Sequence, residues 1–130
     1  MTFTNTPTMT RWQPWTFRDQ SWLSPSTNLT GHKIEALDGD IGKVDDATYE
    51  VGNSYLIVDT GNFIFGKKVL LPAGVISRID HQNKVVFVDR SKDQIKNAPE
   101  FDVSMLRDET FRQRLSDYYG EGGAGWYSGR

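Results

Sequence analysis

The 130-residue sequence contains no cysteine, and this absence removes several kinds of chemistry. Disulfide bonds, thiolate zinc sites and cysteine nucleophiles are all excluded. A chain of this length can bury a hydrophobic core without such cross-links, so we predict one core formed by packing alone. Histidine is also scarce, because only His32 and His81 could supply imidazole groups. Both stand beside turns, and we expect surface side chains rather than general bases.

The sequence also lacks a long apolar run and a strong excess of charge. No stretch approaches the roughly 20 apolar residues that cross a bilayer, and Met1 to Pro7 have neither the basic flank nor the apolar block of a secretion signal. Fifteen basic residues stand against 17 acidic ones, for a net charge of −2. Because no overall positive field attracts nucleic acid, we do not expect nucleic acid as the partner. The missing span and signal lead us to expect a cytoplasmic protein.

Residues 1–28 differ in composition from the rest of the chain. They are rich in Thr, Pro, Gln and Ser, yet they carry Trp12, Trp15, Phe17 and Trp22. A polar segment of this kind does not fold alone, whereas large aromatic side chains contribute strongly to burial and to interfaces. Two interpretations stay open: these side chains pack onto the chain's own folded domain, or they dock onto a partner protein.

From Leu29 to Asp89 the pattern is typical of short β-strands separated by turn residues. The alternation of polar and apolar residues breaks at 45–47, which predicts a β-bulge. Strands are predicted over 32–37, 42–51, 55–58, 69–71, 75–79 and 85–88. Short strands at this spacing, without intervening helices, predict a mainly β fold built as a small antiparallel β-barrel.

A short helix is predicted directly after the strands. Ser91 is followed three residues later by Gln94, which is a capping-box pattern, and the helix must stop before Pro99. These boundaries divide the chain into three parts. The parts are an aromatic-containing segment over 1–28, a β domain over 29–102, and a helix with its tail over 103–130.

A second, amphipathic helix is predicted over 108–119 and is expected to end at Gly120. Its large side chains recur at helical spacing and form one apolar stripe. The stripe consists of Phe111, Leu115, Tyr118 and Tyr119. The tail that follows is rich in glycine and ends in two further aromatic residues, Trp126 and Tyr127.

The stretch TGNFIFGKKVLLP, residues 60–72, comes within one residue of a nucleotide-binding P-loop. A working P-loop places Ser or Thr for magnesium at the start of a helix. Here that position is Lys68, and the residues after it are typical of a strand. We interpret the two glycines as bends and the two phenylalanines as filling a core or a groove, and we do not expect an NTPase.

The acidic residues between 38 and 46 resemble a calcium loop only in composition. An EF-hand loop starting at Asp38 needs glycine at its sixth position and glutamate at its twelfth, where this chain has Lys43 and Tyr49. No serine stands in a nucleophile-elbow context either. We therefore predict no catalytic residue, no metal site and no cofactor.

Five motifs occur in an order that resembles the PRC-barrel domain. They are GHKI at 31–34, DGDIGKVDD at 38–46, YLIVDTG at 55–61, GKKVLLP at 66–72 and DQIKNAP at 93–99. The family is named for the photosynthetic reaction centre H subunit and includes a domain of a bacterial ribosome-maturation factor. The resemblance covers about Leu29 to Asp102 and is greatest to short, stand-alone bacterial members.

The resemblance implies a small, strongly bent β-barrel that serves as an interaction or assembly module and carries no catalytic residues. The chain lacks the membrane helix of the H subunit and the preceding RNA-associated domain of the ribosome factor, so neither specific role is carried over.

We therefore expect a non-enzymatic interaction module with an unidentified protein partner, or a homo-oligomer. The candidate partner-binding residues are Trp12, Trp15, Phe17, Trp22, Tyr118, Tyr119, Trp126 and Tyr127. The alternative is an RNA- or ribosome-associated factor with a local basic surface. That surface would consist of Lys67, Lys68, Arg78, Lys84, Arg90, Lys92 and Lys96.

Overall fold

The computed structural model describes residues 12–24, 26–61 and 67–122. The strands are β1 (Lys33–Ala36), β2 (Gly39–Thr48), β3 (Tyr55–Asp59), β4 (Lys68–Pro72), β5 (Ile76–Asp80) and β6 (Val85–Val88). The helices are α1 (Lys92–Lys96) and α2 (Glu109–Asp117), with 3₁₀ turns at Ala73–Val75 and Val103–Met105. The predicted mainly β fold with one short helix and one C-terminal helix is confirmed.

Local sequence signals account well for the strand bounds. All six predicted strands are present, and β2 begins earlier than expected because the tight turn before it uses Leu37 and Asp38. The register of β2 against β3 shifts between Val44 and Asp46, so the predicted bulge is confirmed. A bulge bends its strand, and β2 accordingly pairs with β1 through its first half and with β3 through its second.

The sheet has the order β4-β3-β2-β1-β6-β5 and differs in two ways from an antiparallel barrel. Strands β1 and β6 pair in parallel, since β6 returns beside β1 after the chain has passed through the other strands. Among the described residues, no pairing joins β4 to β5, so the sheet is open and both are edge strands. A 3₁₀ turn at Ala73–Val75 links these two edges.

The hydrophobic core draws on all parts of the chain. Its strand residues are typified by Ile34, Leu56 and Val86, each fully buried. Burying one such side chain stabilises the fold by about 1.5–3 kcal/mol. The same cluster contains residues from outside the strands. These are Phe17, Leu29, Ala73, Val75, Ile95, Phe111, Leu115 and Tyr119.

Both helices begin as the sequence indicates, but the second ends differently. Ser91 and Gln94 form the predicted capping box of α1. Helix α2 does not stop at Gly120, because a π-helical turn continues it over Tyr118–Gly122. The indole N–H of Trp12 donates to the Ser116 carbonyl at 2.9 Å, an acceptor that a regular helix would pair with its own backbone. None of the helices within the described ranges is long and apolar enough to cross a membrane.

Candidate interaction surface

Residues 12–24, here called the strap, lie against the corner that joins the two edge strands. The Gly74 amide donates to the Pro14 carbonyl at 2.8 Å, and the Ser54 amide donates to the Trp15 carbonyl at 3.0 Å. A Cβ atom on Gly74 would lie 2.5 Å from the Gln13 carbonyl oxygen, so this close approach needs glycine. The strap is therefore fixed to the corner by its backbone.

Further along the strap, aromatic rings rather than backbone hydrogen bonds make the contacts with the rest of the domain. Phe17 is 3% exposed and belongs to the core. Trp22 meets the Phe17 ring edge-on at 5.0 Å and the Tyr49 ring at 6.4 Å. The Tyr49 hydroxyl accepts from the Leu29 amide at 2.8 Å, and burial raises the pKa of Tyr49. These rings bring the strap to the end of β2.

Trp12 and Trp15 connect the strap to other parts of the same chain. The Arg90 guanidinium lies 5.5 Å from the Trp12 ring, and the Arg112 guanidinium lies 4.4 Å from the Trp15 ring. Trp15 also meets Tyr55 edge-on at 6.4 Å. Both indoles are partly buried against the core. Their use in binding a partner stays a prediction.

The C-terminal aromatic candidates lie on the helix end. The Tyr118 hydroxyl donates to the Gln94 carbonyl at 2.6 Å, which joins α2 to α1. Tyr119 is fully buried, and burial strongly raises the pKa of its hydroxyl. Trp126 and Tyr127 lie outside the described residues, as do the two phenylalanines of the 60–72 stretch.

Arg90 corrects part of the predicted basic surface, because it is 3% exposed. Its guanidinium donates to the Asp89 carboxylate and, at 2.8 Å, to the Tyr119 carbonyl. Arg18 donates to the other oxygen of Asp89 at 2.5 Å. Burial lowers the pKa of Arg90, and Asp89 opposes that effect. One carboxylate thus serves two guanidinium groups and leaves one positive charge in excess.

Two of the remaining basic residues are paired with carboxylates. Lys67 pairs with Glu100, and Lys68 donates to the Asp45 carboxylate at 2.8 Å. That hydrogen bond raises the pKa of Lys68. Surface pairs of this kind add little stability, but they reduce the local positive charge. The other members are divided between one hairpin, with Arg78 on β5 and Lys84 in the turn after it, and α1, with Lys92 and Lys96.

His32 is 6% exposed, so the prediction of a surface imidazole is wrong for this residue. Neither ring nitrogen has a hydrogen-bond partner among the described residues. Burial lowers the pKa of His32, and the nearby His81 and Lys84 lower it further. The reason is strand periodicity, since His32 lies two residues before Ile34 and takes the same buried face. His81 itself is exposed and lies 6.3 Å from the His32 ring.

An open cleft with a volume of about 250 Å³ separates the strap from β5. We call it the strap cleft. Arg18 lies near its Gly74 end, where its Nε–H donates to the Gly74 carbonyl at 2.9 Å. Trp22 and His81 lie near the opposite end, with their rings 5.4 Å apart. The lining residues are Phe17, Arg18, Asp19, Ser21, Trp22, Ile76, Ser77, Arg78, Ile79 and His81.

The strap cleft offers two guanidinium groups, aromatic rings and a strand edge. Asp19 is the one acidic residue in its lining, and its carboxylate accepts from the amide and hydroxyl of Ser21. These hydrogen bonds lower the pKa of Asp19. Within the described ranges, no three histidine, aspartate or glutamate residues group in a way that could hold a metal ion. The chemistry available is recognition by charge, rings and backbone.

The sequence identified Phe17 and Trp22 as candidate partner-binding residues and Arg78 as part of the alternative basic surface, but not the other residues that line the cleft. Arg18 stands between Phe17 and Asp19 without a motif, and nothing in the β5 sequence shows that this strand is an edge. The edge position of β5 depends on strand order, which short-range patterns do not carry.

The chain matches no protein-family model and no curated protein. Among solved structures, it is similar to a protein from Pseudomonas aeruginosa described as the 16S ribosomal RNA processing protein RimM. The two share 22% sequence identity, with a TM-score of 0.43. The match covers 54% of this chain and 47% of the other, so this chain spans about half of that protein's length.

Proposed function

We propose that this chain is a cytoplasmic, non-enzymatic PRC-barrel protein that acts as a protein-interaction or assembly module. Its five ordered motifs support the family, and all five lie at least partly in described strands or in α1. The observation that carries the function is the strap cleft, a concave surface between an edge strand and an aromatic segment. Such surfaces are typical places for a partner to bind.

A protein partner agrees better with the structure than RNA does. Sequence-independent RNA binding relies on several unpaired basic side chains along one surface. Here Arg90 is buried, and Lys67 and Lys68 are paired with carboxylates. The net charge of −2 works in the same direction. RNA association is therefore the alternative that the experiment must distinguish.

Site-specific cross-linking tests the proposal. A photo-reactive amino acid replaces the exposed cleft residue Ser77 in one variant and the exposed residue Ser104, outside the cleft, in a matched control. Each full-length tagged variant is irradiated in a cell extract of the source organism, with and without RNase. We expect one defined protein to cross-link through position 77 and not through position 104, whatever the RNase treatment.

Two other results would overturn the proposal. Cross-linked species that disappear with RNase would favour the RNA-associated alternative. Equal cross-linking through both positions would show that the strap cleft is not a specific surface. A product of twice the chain mass would identify the partner as a second copy of this chain and would support the homo-oligomer.

A further inference from the structure

We infer that the strap cleft receives an extended acidic peptide segment of the partner, which adds as a new strand to the outer edge of β5. This inference rests on the proposed function and specifies the chemistry of the partner. The observations that carry it are the unpaired strand edge, the size of the cleft, the guanidinium groups in its lining and the apolar side chains at its Trp22 end.

The edge of β5 has backbone groups available for a further strand. β5 pairs with β6 on one side, and none of the described strands pairs with its other side. Such an edge presents a row of N–H and C=O groups that an incoming strand can use. The register shift between Ile76 and Arg78 limits the regular part to Arg78–Asp80. A short regular edge favours a short peptide segment and disfavours open-ended sheet association.

The strap cleft is small for a whole ligand molecule, and its volume suits a few side chains of a bound peptide. Pockets for drug-sized ligands and cofactors usually measure about 300–1,000 Å³, whereas this cleft measures about 250 Å³. A strand on the β5 edge would lie along the cleft and place alternate side chains in it, because every second side chain points the same way.

The charges of the strap cleft select an acidic side chain. Arg18 and Arg78 both line it, and Asp19 is already engaged by Ser21. Arg18 shares its carboxylate partner with Arg90, so that group of three carries excess positive charge. Asp80, the next acid along β5, accepts from the Asn83 amide and side chain. Arg78 lies in the middle of β5, with its guanidinium 4.0 Å from the centre of the Phe87 ring. A carboxylate from the peptide would therefore meet guanidinium donors of Arg18 and Arg78.

The opposite end of the strap cleft selects an apolar side chain. Trp22, Ile79 and His81 line it, and the Trp22 ring packs edge-on against Phe17. The preferred segment thus carries an acidic residue near one end and a large apolar residue near the other, both on one face. Backbone pairing would supply affinity, and these two side chains would supply specificity.

Fluorescein-labelled peptides of alternating threonine and valine test the inference with the full-length chain. One probe has glutamate near its amino end and leucine near its carboxyl end, and a second has the reverse order, because the strand could add in either direction. A third and a fourth replace glutamate by lysine. Fluorescence anisotropy gives the affinities, and amide hydrogen exchange reports protection of residues 77–80.

We expect saturable binding of one glutamate probe, with slower exchange at the β5 amides. The Arg78→Glu variant should weaken this probe about tenfold and should bind the matching lysine probe more tightly than the native chain does. That reversal could not come from a loss of structure. Arg107→Glu makes the same charge change at an exposed site outside the strap cleft and should leave both affinities unchanged.

The peptide probes test the acidic strand, and the cross-linking through position 77 tests the interaction module. If neither glutamate probe binds, or if Arg78→Glu leaves affinity and exchange unchanged, the acidic strand is wrong. Partner cross-linking through position 77 would then still support an interaction module. If cross-linking through position 77 is absent, the module itself is wrong, whatever the peptides do.

Discussion

The two halves of the strap are held in different ways. Residues 12–18, the anchored half, make backbone hydrogen bonds to Ser54 and Gly74 and place Phe17 in the core. Residues 19–24, the cleft half, have their hydrogen bonds within the strap and its nearest chain neighbours, and they reach the sheet through the Trp22 ring.

This difference separates structural from adaptable contacts. Backbone hydrogen bonds and close approach fix the anchored half in one arrangement, whereas ring contacts tolerate small shifts. A segment of lower local stability beside a cleft is a typical location for binding. The anchored half should therefore control stability, and the cleft half should control access to β5.

The largest expected effect is on the anchored half. Phe17→Ala removes a core ring and should lower the free energy of unfolding by about 3–5 kcal/mol. Trp22→Ala, in the cleft half, should cost about 1–2 kcal/mol, because it loses mainly the ring contacts to Phe17, Tyr49 and His81. Urea denaturation measures both. Equal losses would show that the two halves are held alike.

Gly74→Ala tests the close backbone contact that holds the anchored half. The added methyl group would press on the Gln13 carbonyl, so we expect a loss of about 1–3 kcal/mol. Gly52→Ala is the control, because its Cβ would meet nothing within 4 Å while its φ of +75° carries strain of its own. Hydrogen exchange at the Ser54 and Gly74 amides should accelerate in the first variant only. Unchanged exchange there would contradict the anchoring role.

Acid should weaken the packing beneath the cleft half. The folded-state pKa of His32 lies below its ordinary value of 6.5, so the unfolded chain binds a proton more readily than the folded chain. The stability that neutral His32 contributes is full above pH 6.5 and falls as the pH drops from there through the folded pKa. The slope can reach about 1.4 kcal/mol per pH unit.

Urea titrations between pH 7 and about 5 check this dependence, in a range above the ordinary carboxylate pKa values. His32→Phe keeps a ring in the buried position and should remove most of the slope. His81→Gln removes one neighbouring charge and should reduce the slope without abolishing it. An unchanged slope in His32→Phe would assign the effect to other groups.

The smallest effect concerns a contact at the surface of the anchored half. Arg112→Ala removes the guanidinium 4.4 Å from the Trp15 ring and should cost about 0.5–1 kcal/mol. Arg107→Ala, exposed on the same part of the chain, should cost less. Thermal unfolding of the two variants side by side provides the measurement. Equal losses of stability would show that the contact between Arg112 and the Trp15 ring does not stabilise the anchored half.

Features of the fold that depend on neighbouring residues could be predicted from the sequence. The capping box at Ser91 and the bulge near Asp45 involve residues only a few positions apart, and both are confirmed. The burial of His32 was also within reach, because it shares the period of Ile34. The turn beside His32 does not expose its side chain, because the strand period continues to that position.

Features that depend on distant residues could not be predicted in this way. The parallel pairing of β1 with β6 and the edge position of β5 follow from the path of the whole chain. The sequence predicts that Arg90 lies on the surface. It is buried because Asp89 and the distant Tyr119 carbonyl accept its hydrogen bonds, and Arg18 pairs with the same Asp89. The strap cleft belongs to this second group, since its two walls are far apart in sequence.

The hydrogen bond from Trp12 to the Ser116 carbonyl joins residues 104 positions apart. Bacterial and eukaryotic ribosomes add about 5–20 residues per second, so Trp12 is made roughly 5–20 s before its acceptor. Throughout that interval the aromatic residues of the strap lack part of their final environment. The nascent chain thus exposes the aromatic side chains of the strap well before it can cover them. We expect the risk of misassociation to be greatest during that interval.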